Sequence, residues 1–248
     1  MWCTLAPAST SSYVGGMADN LPSASARADI DAFLGKLAAT PVTTGTGRGR
    51  LVFALDATAS REATWREAQR LHGHMFQAAA ATGGLEVQLV YYRGMGECRA
   101  AKWTADPDKL LALLGKVECI GGETQIRKVL RHAIDETRKA RIHALVFVGD
   151  CMEEDVDQLC KLAGELGVLG VPAFLFHEGQ DPAAARAFAQ IAKLTGGACC
   201  RFDAGSADQL KELLGAVAVF ASGGRKALLA HGKEKGGVVL QLTSQMGK

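Results

Sequence analysis

Asp56, Thr58 and Ser60 stand at alternate positions of the segment Asp56-Ala57-Thr58-Ala59-Ser60. One carboxylate and two hydroxyls are hard oxygen donors, the kind that Mg²⁺ and Mn²⁺ prefer. Two more oxygen donors follow at comparable places: Thr124, behind Gly121-Gly122, and Asp150, at the end of the apolar run Val146-Phe147-Val148-Gly149. Gathered at one point, these five groups could hold a divalent cation. Taken alone, Asp-x-Thr-x-Ser at a strand end could instead cap the helix that follows, since Thr and Ser accept from free helix N–H groups.

The elements that must carry these groups are legible in periodicity and punctuation. Leu51–Leu55 is short and apolar and follows the turn-prone stretch 45–49, which predicts a buried strand ending at Asp56. A long helix is expected over about 62–82, with Trp65, Leu71, Met75 and Phe76 available for burial and Gly83-Gly84 to end it. Leu85–Tyr92 alternates and then turns apolar, as a second strand would. Only Arg93–Glu97 separates it from a third strand over 98–103. So short a link cannot form a parallel crossover, which takes about a dozen residues. Strands two and three must therefore form an antiparallel hairpin.

Asp106-Pro107 opens a helix to about Lys116, and another helix follows over 125–139. Strands are expected over 143–149, 171–177 and 198–202. Helices are expected over 153–166, from Asp181-Pro182 to Gly196-Gly197, and over 207–220. The acids Glu153, Glu154 and Asp155 suit the first turn of their helix, where the dipole favours negative charge, and could also shape the charge around an ion. The result is a doubly wound, Rossmann-like three-layer α/β/α sandwich. Its six-stranded sheet is mostly parallel, with one antiparallel edge strand. Strands one and four are the most apolar and belong side by side in the centre, where the strand order reverses and open α/β sheets bind ligands. Asp56 and Asp150 would then share one rim. Two close carboxylates repel unless a cation or a proton lies between them.

With that order of elements, Asp56-x-Thr58-x-Ser60, Thr124 and Gly149-Asp150 resemble the metal-ion-dependent adhesion site (MIDAS) of von Willebrand factor A (VWA) domains, across about residues 48–221. The family usually has Ser where Thr58 stands. Thr keeps the hydroxyl and adds a methyl. The resemblance implies that Thr58 and Ser60 bind Mg²⁺ or Mn²⁺ directly. It implies that Thr124 binds directly in one state and through water in another. Asp56 and Asp150 would act largely through water and hold the site together. A Glu or Asp of a partner protein would fill the ion's last position. The physical logic agrees: few direct anionic ligands leave the ion electrophilic toward an incoming acid. The resemblance thus implies a non-enzymatic module for metal-dependent protein–protein interaction. Intracellular members often work beside AAA+ ATPases, so such an ATPase is one partner it suggests.

A phosphatase reading competes. Asp56, Thr124, Lys128 and Gly149-Asp150 to Asp155 also resemble haloacid-dehalogenase-like phosphatases, with Asp56 as the Mg²⁺-dependent nucleophile. Those enzymes carry a second Asp two residues after the nucleophile as general acid. Here Thr58 stands there, and a hydroxyl is a poor substitute.

The remaining features restrict function more than they assign it. The 248 residues are 48% hydrophobic and 22% charged, with a formal charge of +2, an ordinary globular balance. The basic residues form no run and interleave with no aromatics, which argues against nucleic acid. No stretch approaches the ~20 apolar residues of a membrane helix. Seven cysteines in no Cys-x-x-Cys pair give no zinc spacing and read as free thiols in a reducing cytoplasm. Cys199 and Cys200 should point to opposite faces of a strand. Cys151 at the rim reads as a small packed side chain, since no His is placed to activate it. His72 and His74 face different directions on their helix. Nucleotide cradles and a Gly-x-Ser-x-Gly elbow are absent from the sequence. Residues 1–23, rich in Ser, Ala, Thr and Pro, read as a disordered leader, and Met17 is an alternative start. A helix over 25–39 and a linker fill 24–47. Residues 222–248 form a C-terminal extension with one more possible strand over 237–242.

Overall fold

The computed structural model describes residues 49–66, 85–202 and 215–221, together with 32, 35, 36, 69, 73, 76, 223, 227 and 230. The expected leader, the strand over 237–242 and both His72 and His74 lie outside the described residues. The helices expected over 25–39, 62–82 and 207–220 are described only in part.

Six strands form one sheet: β1 Gly49–Asp56, β2 Leu85–Arg93, β3 Glu97–Ala100, β4 Ala144–Gly149, β5 Ala173–Glu178 and β6 Ala198–Phe202. Their order is β3-β2-β1-β4-β5-β6. All neighbours are parallel except β2 and β3, which form the expected antiparallel hairpin. β1 and β4 are adjacent at the centre, and the register Leu55↔Val148 sets Asp56 level with Gly149. On the other side Asp56 is paired with Tyr92.

Alternation along β1 sorts the core into two layers. Leu51, Phe53 and Leu55 face one side, with Trp65, Phe76, Leu110 and the segment 216–221. Val52 and Ala54 face the other, where helices α2 (Ile126–Lys139), α3 (Val156–Val168) and α4 (Pro182–Thr195) pack. α1 (Pro107–Leu114) belongs to the first layer. On α2 the buried residues Ile126, Val129, Leu130, Ala133 and Ile134 repeat at helical spacing, giving one apolar stripe against the sheet. Three helices start alike. Asp106, Asp155 and Asp181 each accept two backbone N–H bonds, and Pro occupies the first turn of α1 and α4. Cys200 faces the first core layer and Cys199 the second, as alternation requires.

Two expected boundaries move. β3 stops at Ala100 rather than Trp103, because the regular ladder with β2 is interrupted there, although Ala101 N–H still donates to the Leu89 carbonyl. Thr104 exchanges two backbone bonds with Val87, and the Trp103 indole N–H donates to Glu136 beneath the Arg50 guanidinium. α3 starts at Val156, not Glu153, because Asp155 is its cap and the two glutamates before it are engaged elsewhere.

Candidate functional site

The first loop is built around a buried carboxylate. Asp56 is fully buried at the end of β1. Its Oδ1 accepts the Thr58 N–H at 2.8 Å, and its Oδ2 accepts the Tyr92 hydroxyl at 2.8 Å. Both oxygens therefore hold the turn and fasten it to β2. Burial pushes the Asp56 carboxyl above its usual range. The Thr58 and Tyr92 bonds oppose this, and the nearby Asp150 charge adds to it. The chain then enters a short 3-10 turn, Ala59–Arg61, with Thr58 as its cap. Thr58 Oγ1 and Ser60 Oγ share a hydrogen bond at 3.0 Å. Thr58 is buried and Ser60 is exposed.

Arg61, fully buried, locks this turn from beneath. Its Nη1 donates to the Asp56 carbonyl at 2.8 Å, and its Nε donates to Glu178 Oε2 at 2.8 Å. Nη2 lies 2.7 Å from the same carboxylate oxygen, close enough for an ion pair although not aligned as a hydrogen bond.

The second and third loops are tied together. Thr124 is buried at the entrance to α2. Its N–H donates to Glu153 Oε2 and its Oγ1 accepts the Glu153 N–H, both at 3.1 Å. Glu154 accepts from the Ile126 and Arg127 N–H groups, so it caps α2 rather than its own helix. Burial pushes its carboxyl upward, against those two bonds. The hairpin tip supports the Thr124 loop from outside, where Gly122 lies against the Gly94 backbone and Gln125 donates to the Arg93 and Gly94 carbonyls. Only a glycine at 122 allows that approach.

Asp150 follows Gly149, whose missing side chain leaves room beside Asp56. A Cβ there would come within 3.4 Å of Asp56 Cβ. One Asp150 carboxylate oxygen, Oδ1, is buried and has no hydrogen-bond partner among the described residues. The Asp150 carbonyl contacts His177 Nε2 at 3.2 Å. Beside it the Cys151 thiol is pushed up to about 12, first by burial and then by the Asp150 charge, so it is not a thiolate at neutral pH.

Thr58, Ser60 and Thr124 line a single cavity of about 140 Å³ together with Gly122, Cys151 and Glu153. Three of the five expected residues thus meet at one opening. Asp56 stands behind them as the brace of the first loop, and Asp150 stands beside Asp56. Among the described residues no group of three or more His, Cys, Asp or Glu forms a metal-binding cluster. The donors converging here are mostly hydroxyls. Such a set suits a hard cation and leaves it short of negative charge.

Sequence reasoning missed the parts played by Tyr92, Arg61 and Glu153. Tyr92 had a signal, since it ends β2 level with Asp56. Arg61, a charge directly after the Asp-x-Thr-x-Ser run, had one too. The Thr124–Glu153 link had none, because nothing in the chain pairs those two loops. The phosphatase constellation gains nothing from the geometry. Asp56 is sealed with both oxygens engaged, and Lys128 donates instead to Gly96 O at 2.6 Å and Gln125 Oε1 at 2.8 Å.

No family sequence model and no curated protein sequence matches this chain. Its fold is similar to solved VWA structures. The SpRpn10 VWA domain superposes with a TM-score of 0.55 at 14% identity, covering 67% of this chain and 94% of that one. A von Willebrand factor type A protein from Catenulispora acidiphila gives 0.56 at 17% identity, covering 70% of this chain but 43% of its own. An aerotolerance-related membrane protein from Bacteroides fragilis gives 0.52 at 16%, covering 67% and 98%.

Proposed function

The chain has the VWA fold, and we propose that it is a divalent-metal-dependent protein-interaction module, not an enzyme. Thr58, Ser60 and Thr124 would offer their hydroxyls to Mg²⁺ or Mn²⁺, with Asp56 and Asp150 behind them. The carrying observation is the buried, unpartnered Asp150 Oδ1 beside Asp56 and a hydroxyl-lined cavity. A buried carboxylate oxygen without a donor is costly, and a cation or its bound water would satisfy it. A cation there would also relieve the Asp56–Asp150 repulsion. When bound, the ion supplies an electrophilic centre for a carboxylate of a partner protein. The chain's own part is to present hydroxyls, hold them through the Asp56 bonds and keep the opening clear.

A cytoplasmic setting belongs to the same reading, supported by six described cysteines that are free thiols. An AAA+ ATPase remains a partner suggested by resemblance. Among the described residues no helix is long and apolar enough to cross a membrane.

Calorimetry with Mg²⁺ and Mn²⁺ tests the ion. Thr58→Ser keeps the hydroxyl and should bind within about threefold of the parent. Thr58→Val keeps the shape, removes the oxygen and should weaken binding by about tenfold or more. Equal affinity in both variants removes Thr58 from the site. Capture of a partner from lysate should require Mg²⁺, and both EDTA and Ser60→Ala should abolish it.

A further inference from the structure

An open depression of about 680 Å³ lies across α2, between the edge strand β3 and α3. Arg99, Arg127, Lys128, Arg131 and Lys161 stand around it, and Asp135 is the one acid among the described residues of its lining. The whole chain carries only +2, so this is a local concentration of positive charge. Arg99 and Arg131 are paired with Glu97 and Glu165 at the surface. Arg127, Lys128 and Lys161 make no ion pair among the described residues. Arg127 and Lys128 also feel the Glu154 charge, and Lys128 Nζ is bonded to Gly96 O and Gln125 Oε1, so it is the excess of five cations over one acid in the described lining that favours a bound anion.

The floor and wall narrow the choice of anion. Val90, Ala100 and Leu162 make the floor apolar, and among the described residues the lining holds no Phe, Tyr or Trp and a single ring, that of His132, which is hydrogen-bonded to Gln88 Oε1. One engaged ring does not make the row of stacking platforms that single-stranded nucleic acid uses. One wall is β3, which among the described residues is the last strand of the sheet and pairs with β2 alone. An extended peptide can hydrogen-bond to such an edge, set alternate apolar side chains on the floor and turn its acids to the cationic rim. The chain's own C-terminal segment is a poor occupant. Residues 222–248 carry Arg225, Lys226, Lys233, Lys235 and Lys248 against Glu234 alone.

We propose that this groove binds an acidic, extended peptide segment of a partner protein, independently of any metal. The probe is a fluorescein-labelled dodecapeptide alternating glutamate and leucine, added to the full chain and followed by anisotropy. Binding should weaken by about tenfold or more between about 50 mM and 300 mM salt. Combining Arg99→Gln, Arg131→Gln and Lys161→Gln should cost a further tenfold or so at low salt. Arg186→Gln with Lys193→Gln, on exposed positions of α4, should change nothing. EDTA and Ser60→Ala should also leave binding intact, so a failure of the ion site would not be mistaken for a failure of the groove. Amide shifts on the unsubstituted chain should cluster at 98–100, 127–135 and 158–162, which tests the site even if the triple variant folds poorly. Three results would overturn the proposal: unchanged binding in a folded triple variant, loss of binding in EDTA, or equal binding of single-stranded DNA of the same length at the same residues.

Discussion

Thr124 and Glu153 hold each other by two reciprocal hydrogen bonds across a separation of 29 residues. Each backbone N–H serves the other's side chain, so the loop before α2 and the loop after β4 move as one piece. The Thr124 hydroxyl spends one lone pair on this contact and keeps the other for a ligand. The nearest rim acid is meanwhile tethered rather than free. Glu153→Ala should remove one of the two bonds, leave the backbone N–H of residue 153 on Thr124 Oγ1, and lower stability by about 1 kcal/mol, read by urea unfolding. Glu153→Gln retains an amide oxygen for the Thr124 N–H and should stay within about 0.5 kcal/mol of the parent. If both variants unfold alike, the bonds do not join the loops.

Asp56 gives a pH prediction whose sign is opposite to that of an ion-paired surface carboxylate. Its carboxyl is raised by burial and by Asp150, so the folded chain holds that proton more tightly than the unfolded chain does. Stability should then be greatest below the ordinary aspartate range. It falls as pH climbs from that range through the raised value. Without metal, the ionised group is a net cost at neutral pH. Asp56→Asn offers an oxygen to the Thr58 N–H and an amide to Tyr92. It should raise the metal-free melting temperature at pH 7 and flatten its dependence between mildly acidic and neutral pH. Mg²⁺ should raise the melting temperature of the parent and not of the variant. A variant less stable than the metal-free parent at pH 7 would show that the charge itself holds the turn.

Arg61 tests the support under the first loop. It is sealed, and it pairs with Glu178 while donating to the Asp56 carbonyl. Arg61→Met leaves Glu178 without its partner in a mostly dry setting and should cost about 3–5 kcal/mol. Adding Glu178→Met should recover much of that loss, since paired removal strands no charge. Equilibrium unfolding of both single variants and the double variant measures the coupling. Additive losses would mean that the two groups do not act together.

The sheet was legible because its signals are local and redundant. Strands β1 and β4 are continuous apolar runs, and the link Arg93–Glu97 is too short for anything but a hairpin. Asp106-Pro107 and Asp181-Pro182 announce their helices by capping chemistry. The placing of Asp56 beside Asp150 followed from the two strands being central neighbours. The contacts made by Glu153 and Glu154 were not legible. Their charge suits the first turn of the helix that follows, yet their carboxylates satisfy N–H groups at the start of another helix. A local pattern cannot tell which helix end an acid will reach. For the same reason β3 was drawn too long. Trp103 looks like strand sequence, but it is claimed by Glu136 and Arg50, which arrive from α2 and β1.

Gly122 carries the clearest steric prediction. A Cβ at this position would lie 2.1 Å from the Gly94 carbonyl oxygen, 2.2 Å from its carbon and 2.5 Å from its Cα. All three are backbone atoms, so no side-chain rotation can relieve the clash. Gly122→Ala must push the hairpin tip away from the Thr124 loop, at a cost of about 1–3 kcal/mol. Gly164, inside α3, is the matched control, because nothing stands within 4 Å of its added Cβ. There the same substitution should stabilise by about 0.5–1 kcal/mol, through helix propensity alone. The loop that yields at Gly122 carries Thr124 two residues on, so Mg²⁺ affinity should fall together with stability, whereas Gly164→Ala should leave it unchanged. If Gly122→Ala loses stability yet binds Mg²⁺ as before, the hairpin supports the fold without positioning the third hydroxyl, and the ion site would rest on the first loop alone.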